Sequence, residues 1–330
     1  MNIKLALSPA VAAGLAILGI LGVAVAPQAR SLIAASGDRP LTLAAETRLD
    51  VTGETAELQN HKLSLGPVSV QVSYQAVERP SDQENNLQLE IFYNGTPYIT
   101  TAATTYYFGS VELIDLDNNG VPEVVLGAFT GGAHCCLAYT TYTWDGSGFQ
   151  AIPFAPLDGG GGEFRDLNQD GQIEFITLDN AFFYTFGSYA GSFPPNVILS
   201  FQNGQYVDTT PQFRDYLRST AWRMYTVYQE QADTPPALNG LLAGYVAQKI
   251  RLGEYQEGWN FMLAHYDRAN DWGLVNYDSE GNVASEFKDF PAALQSFLTR
   301  LGYLDEQGNP QPQVNRSPAA DPQLSDSLSD

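Results

Sequence analysis

Two nine-residue segments carry the residue types and spacing for binding a hard cation. They are Asp115-Leu116-Asp117-Asn118-Asn119-Gly120-Val121-Pro122-Glu123 and Asp166-Leu167-Asn168-Gln169-Asp170-Gly171-Gln172-Ile173-Glu174. Each places oxygen-bearing side chains at loop positions 1, 3 and 5, glycine at 6 and an acid at 9. Position 7, Val121 or Gln172, can offer its backbone carbonyl. Calcium takes about 6–8 oxygen ligands in flexible geometry, and this spacing wraps oxygens around one point. A helix-loop-helix calcium hand would add a bidentate Glu at position 12. Leu126 and Thr177 stand there instead. Both loops run into apolar, β-prone segments, so they are expected to join strands.

The second chemical candidate is Gly131-Gly132-Ala133-His134-Cys135-Cys136. Cys135 and Cys136 are the only cysteines of the chain. Three readings stay open: a vicinal disulfide that stiffens a turn, two buried thiols, or a metal or redox site with His134. Neighbouring side chains on a strand point to opposite faces, which works against shared ligation. His61 and His265 have no ligand spacing to the pair. The sequence contains no phosphate-binding glycine loop, nucleophile elbow or zinc-protease helix motif. Gly159–Gly162 reads as a connection, because no lysine or helix pattern follows it.

The elements that must position these loops are strands. Val68, Val70, Val72 and Tyr74 alternate with polar residues, as do Leu87, Leu89, Ile91 and Tyr93. Three turns share a form, an Asn-Gly or Asp-Gly between aromatics: Tyr93–Tyr98, Trp144–Phe149 and Phe201–Tyr206. Such dipeptides tolerate the positive φ of hairpin turns, and flanking rings can pair across strands. Asn94 and Asp145 are 51 residues apart, as are Asp115 and Asp166. A shared period in two independent features predicts a structural repeat.

After Thr210 the periodicity becomes helical. Phe213, Tyr216, Leu217 and Ala221 recur at three- and four-residue steps. The same holds for Leu238–Val246, Tyr255–Tyr266 and Pro291–Leu301. The hairpin Leu238–Tyr266 faintly resembles one tetratricopeptide unit. Lys4 followed by the apolar run Leu5–Ala26 predicts an export signal, either cleaved or retained as an anchor. The net charge of −21 disfavours nucleic acid. Contact with a membrane is expected only through an uncleaved N-terminal segment.

The loops and their setting resemble FG-GAP or VCBS repeats of extracellular β-propellers, similar to integrin α-subunit blades. Phe108-Gly109 precedes the first loop and Gly127-Ala128 follows it; the second unit lacks that arrangement. The resemblance covers about residues 85–210. It implies one calcium ion on Asp115, Asp117, Asn119, the Val121 carbonyl and Glu123. It implies a second on Asp166, Asn168, Asp170, the Gln172 carbonyl and Glu174.

The expected organisation is α+β. Residues 1–29 are a signal or anchor, 30–65 are weakly patterned, and 66–210 form a β-rich, propeller-blade-like domain. Residues 211–306 are helical and 307–330 a disordered tail. The expected function is an exported, calcium-stabilised structural or binding module, presenting aromatic-rich loops to a protein or glycan. The alternative is an extracytoplasmic enzyme, either a hydrolase using acids beside calcium or a redox protein using Cys135 and Cys136.

Overall fold

The computed structural model describes residues 45–77, 84–132, 136–158, 160–231, 238–277, 280 and 282–314. The export segment and its cleavage sites lie outside the described residues. Two strands fall where the sequence shows little pattern, β1 (Arg48–Thr52) and β2 (Leu58–Leu65). The reasons are local. In β1 only Val51 is buried, and β2 carries an irregularity between Leu58 and His61 that breaks its alternation.

Three antiparallel sheets follow in chain order. The first runs β2, β3 (Val68–Tyr74), β4 (Leu87–Tyr93), β5 (Thr96–Ala103). The second contains β6 (Phe108–Ile114), β7 (Glu123–Phe129), β8 (Leu137–Trp144) and β9 (Phe149–Pro153), with β1 added beside β6. The third runs β10 (Gly162–Arg165), β11 (Glu174–Leu178), β12 (Asn196–Gln202), β13 (Gln205–Asp208). The three aromatic-flanked turns each join the third and fourth strands of a meander. Asn94 and Gly95 have φ of +49° and +79°, and Asn203 and Gly204 of +51° and +74°. Only side chains that tolerate this region suit such turns. Phe201 and Tyr206 pair across their strands, with centroids 4.9 Å apart. Tyr93 instead stacks on Trp144 of the next sheet at 4.2 Å.

The sheets pack face to face. One core lies between the first two and contains Val70, Val72, Leu89, Val111, Leu113, Val124 and Leu126. The next lies between the second and third and contains Val125, Tyr139, Phe154, Phe175, Leu199 and Tyr206. Val124 and Val125 are sequence neighbours on opposite faces of β7, so a strand of the middle sheet is apolar on both sides. This is why β7 reads as a continuous apolar run and β3 as an alternating one. A closed propeller does not occur among the described residues. Helices cover the third sheet where a further blade would stand.

Those helices are α1 (Arg214–Gln231), α2 (Leu238–Arg251) and α3 (Tyr255–His265), followed by the small hairpin β14 (Val275–Tyr277) and β15 (Val283–Glu286), and then α4 (Phe290–Arg300). Ile176 and Ile198 of the third sheet pack against Leu217, Ala221, Met224 and Leu252. Every residue of α2 is buried. Gly240 and Gly244 let the chain around Gly191 and Phe193 lie directly on that helix; a Cβ at 244 would sit 1.6 Å from the Phe193 oxygen. Pro211 sits in a 3-10 turn before α1 rather than in its first turn. Pro291 does open α4, whose N-cap Asp289 accepts from Ala292 N–H.

A disordered tail was expected from Gln307. Residues 307–314 are instead held as a strap, and 315–330 lie outside the described residues. Arg251 is fully buried, and its Nη2 donates to both carboxylate oxygens of Asp208 at 2.5 Å. It also donates to the Pro312 and Val314 carbonyls at 3.1 and 3.0 Å. Composition favoured disorder there, but a buried guanidinium with spare donors recruits backbone carbonyls. The described residues form one compact unit. Among them, no helix is long and apolar enough to cross a membrane.

Candidate metal centre

Both acidic loops join the first and second strands of a meander, β6 to β7 and β10 to β11. In the first loop, Asp115 Oδ1 accepts from Asn119 N–H at 3.0 Å and Oδ2 from Gly120 N–H at 2.9 Å. Asn119 Oδ1 accepts from Val121 N–H at 2.7 Å. Asn118 and Gly120 take φ of +57° and +85°, which turns the chain around the Asp115 carboxylate. The second loop repeats this. Asp166 accepts from the N–H groups of Gln169, Asp170 and Gly171, and Asp170 Oδ1 from Gln172 N–H.

The acid at position 9 is the first residue of the following strand and points inward. Glu123 is 0% exposed. Its Oε2 accepts from Leu116 N–H at 3.0 Å and its Oε1 from the Thr143 hydroxyl at 2.9 Å. Burial pushes its carboxyl up to about 7, with Asp117 adding to the effect. Glu174 occupies the same place, takes the Leu167 N–H at 3.0 Å and is also raised by burial. Thr143 as a partner of Glu123 is not visible in the sequence, because it comes from a strand 20 residues away.

Asp115, Asp117 and Glu123 converge, each with a carboxylate oxygen within 4.8 Å of the others. Asp117 Oδ1 is buried and has no hydrogen-bond partner. Three acids gathered this closely, one on a strand and fully buried, offer oxygens of the hard kind that a divalent cation takes. The second loop brings together no comparable trio of acids. Its position 3 is Asn168, whose amide donates to Asp170 Oδ2 at 2.8 Å. Gln172 sends its side-chain amide to the Phe201 carbonyl at 2.9 Å. The two loops touch: Ile173 N–H donates to the Leu116 carbonyl at 3.1 Å. A Cβ at Gly171 would lie 3.1 Å from the Asn118 amide.

At the opposite strand ends, Cys136 precedes β8. Ala133, His134 and Cys135 are outside the described residues. Cys136 is buried and disulfide-bonded. Its carbonyl and N–H are both held by Thr130. His61 pairs with Glu46 at 2.9 Å, and His265 packs on Phe261 and Tyr228.

The fold is therefore α+β: three blade-like sheets ended by a helical layer. A family model described as the sll0997 C-terminal domain matches residues 217–302, the helical layer from α1 through α4. The probable thylakoid lumen protein sll0997 of Synechocystis is 35% identical over 258 residues, covering 74% of this chain and 76% of that one. The chain belongs to the sll0997 family. An uncharacterized protein, y4bJ of Sinorhizobium fredii, is 34% identical over 209 residues, 60% of this chain and 32% of that protein. No solved structure matches. The FG-GAP/VCBS resemblance is thereby corrected: the membership is that of sll0997, and it extends over the helical region that the repeat resemblance left out. An extracytoplasmic location, expected from the N-terminal residues, agrees with the lumenal description of the relative.

Proposed function

We propose that this is an exported structural or binding module in which two calcium ions fix the β array, so that loops at the far strand ends are held ready for a partner. The observation that carries the reading is the unpartnered, buried Asp117 Oδ1 beside Asp115 and the fully buried Glu123. Burying uncompensated carboxylates costs several kcal/mol per ion, roughly, and a divalent cation offsets that cost. Asp115, Asp117 and Glu123 hold the first ion, with Asn119 and the Val121 carbonyl completing the set. The second ion rests on the matching spacing of Asp166, Asn168, Asp170, Gln172 and Glu174. Because the loops are hydrogen-bonded to each other through Ile173 and Leu116, an ion in either one stiffens the junction of the second and third sheets.

Ligand that binds only the folded state stabilises it by RT ln(1 + [L]/Kd), about 2.7 kcal/mol at a hundredfold excess over Kd. Extracellular calcium modules bind at roughly 0.1–1 mM, so several millimolar calcium is enough to read an effect. Chelation is expected to lower the melting temperature, and magnesium to substitute poorly. Asp117→Asn should abolish the first binding event in calorimetry, yet melt no lower than wild type in chelator, since it removes a buried anion that lacks a partner. Equal melting of the wild type in chelator and in calcium, with no heat of binding, would sink the reading.

A further inference from the structure

A cavity of about 450 Å³ opens between α1, α2 and α3. Its wall is largely apolar, built from Tyr225 of α1, Tyr245 of α2, Phe261 of α3 and Leu252 at the turn between the last two. Phe261 lies 5.5 Å from Tyr225 and 5.3 Å from Tyr245, so the three rings make one surface. A volume of this size, walled by aromatic rings and bordered by a few charged groups, has the form of a binding site. Trp222 of α1 stands at its edge and is 68% exposed, more than any other large hydrophobic residue described. Its ring centroid is 5.6 Å from that of Tyr225. A single exposed ring is ordinary. A large exposed ring beside an open aromatic cavity is a knob next to a hole.

The charges around the cavity are of both signs. Arg214, Arg218 and Lys249 stand against Asp215, Glu254 and Glu257. This local balance occurs in a chain with 16 basic and 37 acidic residues. Lys249 is enclosed between Glu254 and Glu257. Arg218 is held far less firmly. It approaches Asp215 and Glu254 at 3.7 Å each, too far for a hydrogen bond, and half of its side chain is exposed. Glu257, on the opposite rim, meets Lys249 at 3.0 Å and is otherwise mostly exposed. The α1 rim thus presents a guanidinium with donors to spare, and the α3 rim a carboxylate with acceptor capacity to spare.

We propose that this face of the helical layer docks a second copy of the chain, with Trp222 of each copy seated in the aromatic cavity of the other. A two-fold interface must be self-complementary: where one residue meets another, the second meets the first in return. A ring beside its own cavity satisfies that condition. The rims satisfy it as well, because a guanidinium on α1 and a carboxylate on α3 pair twice when two copies face each other across the cavity. Charge argues against contact elsewhere. Two chains of net charge −21 repel, and a charge-balanced face lets them meet without adding to that repulsion. Trp, Tyr and Arg set in a pocket with a polar rim are the composition of an interface hot spot. A foreign protein would have to supply the ring and both charges, whereas a second copy carries them already.

The interface does not depend on calcium, so its test reads mass and leaves the metal reading untouched. The full chain is followed by sedimentation equilibrium from roughly 1 μM to 1 mM, a span that covers weak and tight dimers. A monomer–dimer equilibrium is expected. Trp222→Ala should raise its dissociation constant at least about tenfold, the loss typical of a hot spot, with helix content unchanged by circular dichroism. Arg218→Glu sets acid against acid across the two-fold axis, and Glu257→Arg sets base against base, so each variant alone should be monomeric. Their equimolar mixture should form a heterodimer, because both of its rim contacts then join opposite charges. Should a charge-reversed variant lose helix content, Arg218→Gln takes its place, and a dimer no weaker than wild type would overturn the proposal. So would a wild type that stays monomeric throughout, association untouched by Trp222→Ala, or folded charge variants that fail to associate on mixing. A monomer that binds anilinonaphthalene sulfonate, and loses it in Trp222→Ala, would give the cavity to a small ligand instead.

Discussion

Glu254 illustrates how a single side chain ties the helical layer together. Lys249 lies on the buried helix α2, and its ammonium pairs with Glu254 and with Glu257, the latter at 3.0 Å. The hydrogen bond from Lys249 holds the Glu254 carboxyl below the usual glutamate value of 4.5, with the charge of Lys249 adding to it. Burial pulls the Lys249 ammonium down, but the bonds to Glu254 and Glu257 outweigh it and the net shift is upward. A depressed carboxyl contributes stability that is complete above its unfolded pKa and is lost as pH falls through the folded value. The window therefore lies below about 4.5. Glu254→Gln should cost on the order of 1–2 kcal/mol at pH 7, by the usual worth of a hydrogen bond to a charged group. The cost should shrink toward pH 3. Urea denaturation at a series of pH values measures this; a cost that does not change between pH 7 and pH 3 would rule the pairing out as its source.

At the scale of elements, α2 decides the architecture. It is buried on every side, so it needs small residues where other chain segments cross it. Gly240 and Gly244 provide that against the segment 186–193. Gly→Ala inside a solvent-facing helix stabilises by about 1 kcal/mol, through propensity alone. At 244 the added methyl would meet the Phe193 carbonyl far inside contact distance, so the sign reverses. Gly244→Ala is expected to destabilise by about 1–3 kcal/mol, the range for overpacking a filled core. The measurement is the urea midpoint at unchanged slope; a variant as stable as wild type would mean that the loop yields freely. The helix ends at Leu252-Gly253-Glu254, where Glu254 N–H donates to the Lys249 carbonyl and Gly253 takes φ of +74°. This left-handed cap reverses the chain into α3 and so brings Glu254 and Glu257 back to Lys249.

For the whole molecule, the important feature is how a row of sheets is brought to an end. Each interior face needs a partner, because a half-covered sheet leaves an apolar surface in water. The first sheet ends the row with partly exposed polar residues such as Ser69, Gln71 and Ser73. The third sheet cannot, since Ile176 and Ile198 face outward; α1 and α2 cover them. A chain cut after Thr210 should therefore bind apolar dyes and self-associate, even though it retains all three sheets and both acidic loops. Size-exclusion chromatography with a thermal melt tests this; a monomer that melts cooperatively would show the β array to be self-sufficient. The buried Arg251–Asp208 pair acts across the same seam, joining the end of β13 to α2 and to the strap 307–314.

Much of this was legible from local pattern. Hairpin turns, amphipathic helices and the two oxygen-rich loops depend on neighbours within a few residues, and their spacing in the chain states them directly. The 51-residue period likewise located two meanders in matching registers. Tertiary structure alone decided the rest. Whether the blades close into a ring or stop against helices depends on which face of β11 and β12 finds a partner, and both faces read as apolar. The convergence of Asp115 and Asp117 on Glu123 needs β7 to turn the glutamate inward, with Thr143 arriving from another strand to meet it. The strap at 307–314 was hidden because its polar composition predicts disorder, while its order comes from carbonyls bonded to an arginine some 60 residues away. The positive φ of Tyr107 and Tyr184, +63° and +61°, was hidden for a related reason: φ is set by the whole loop and its contacts, and no residue type announces that it has been forced against its own preference.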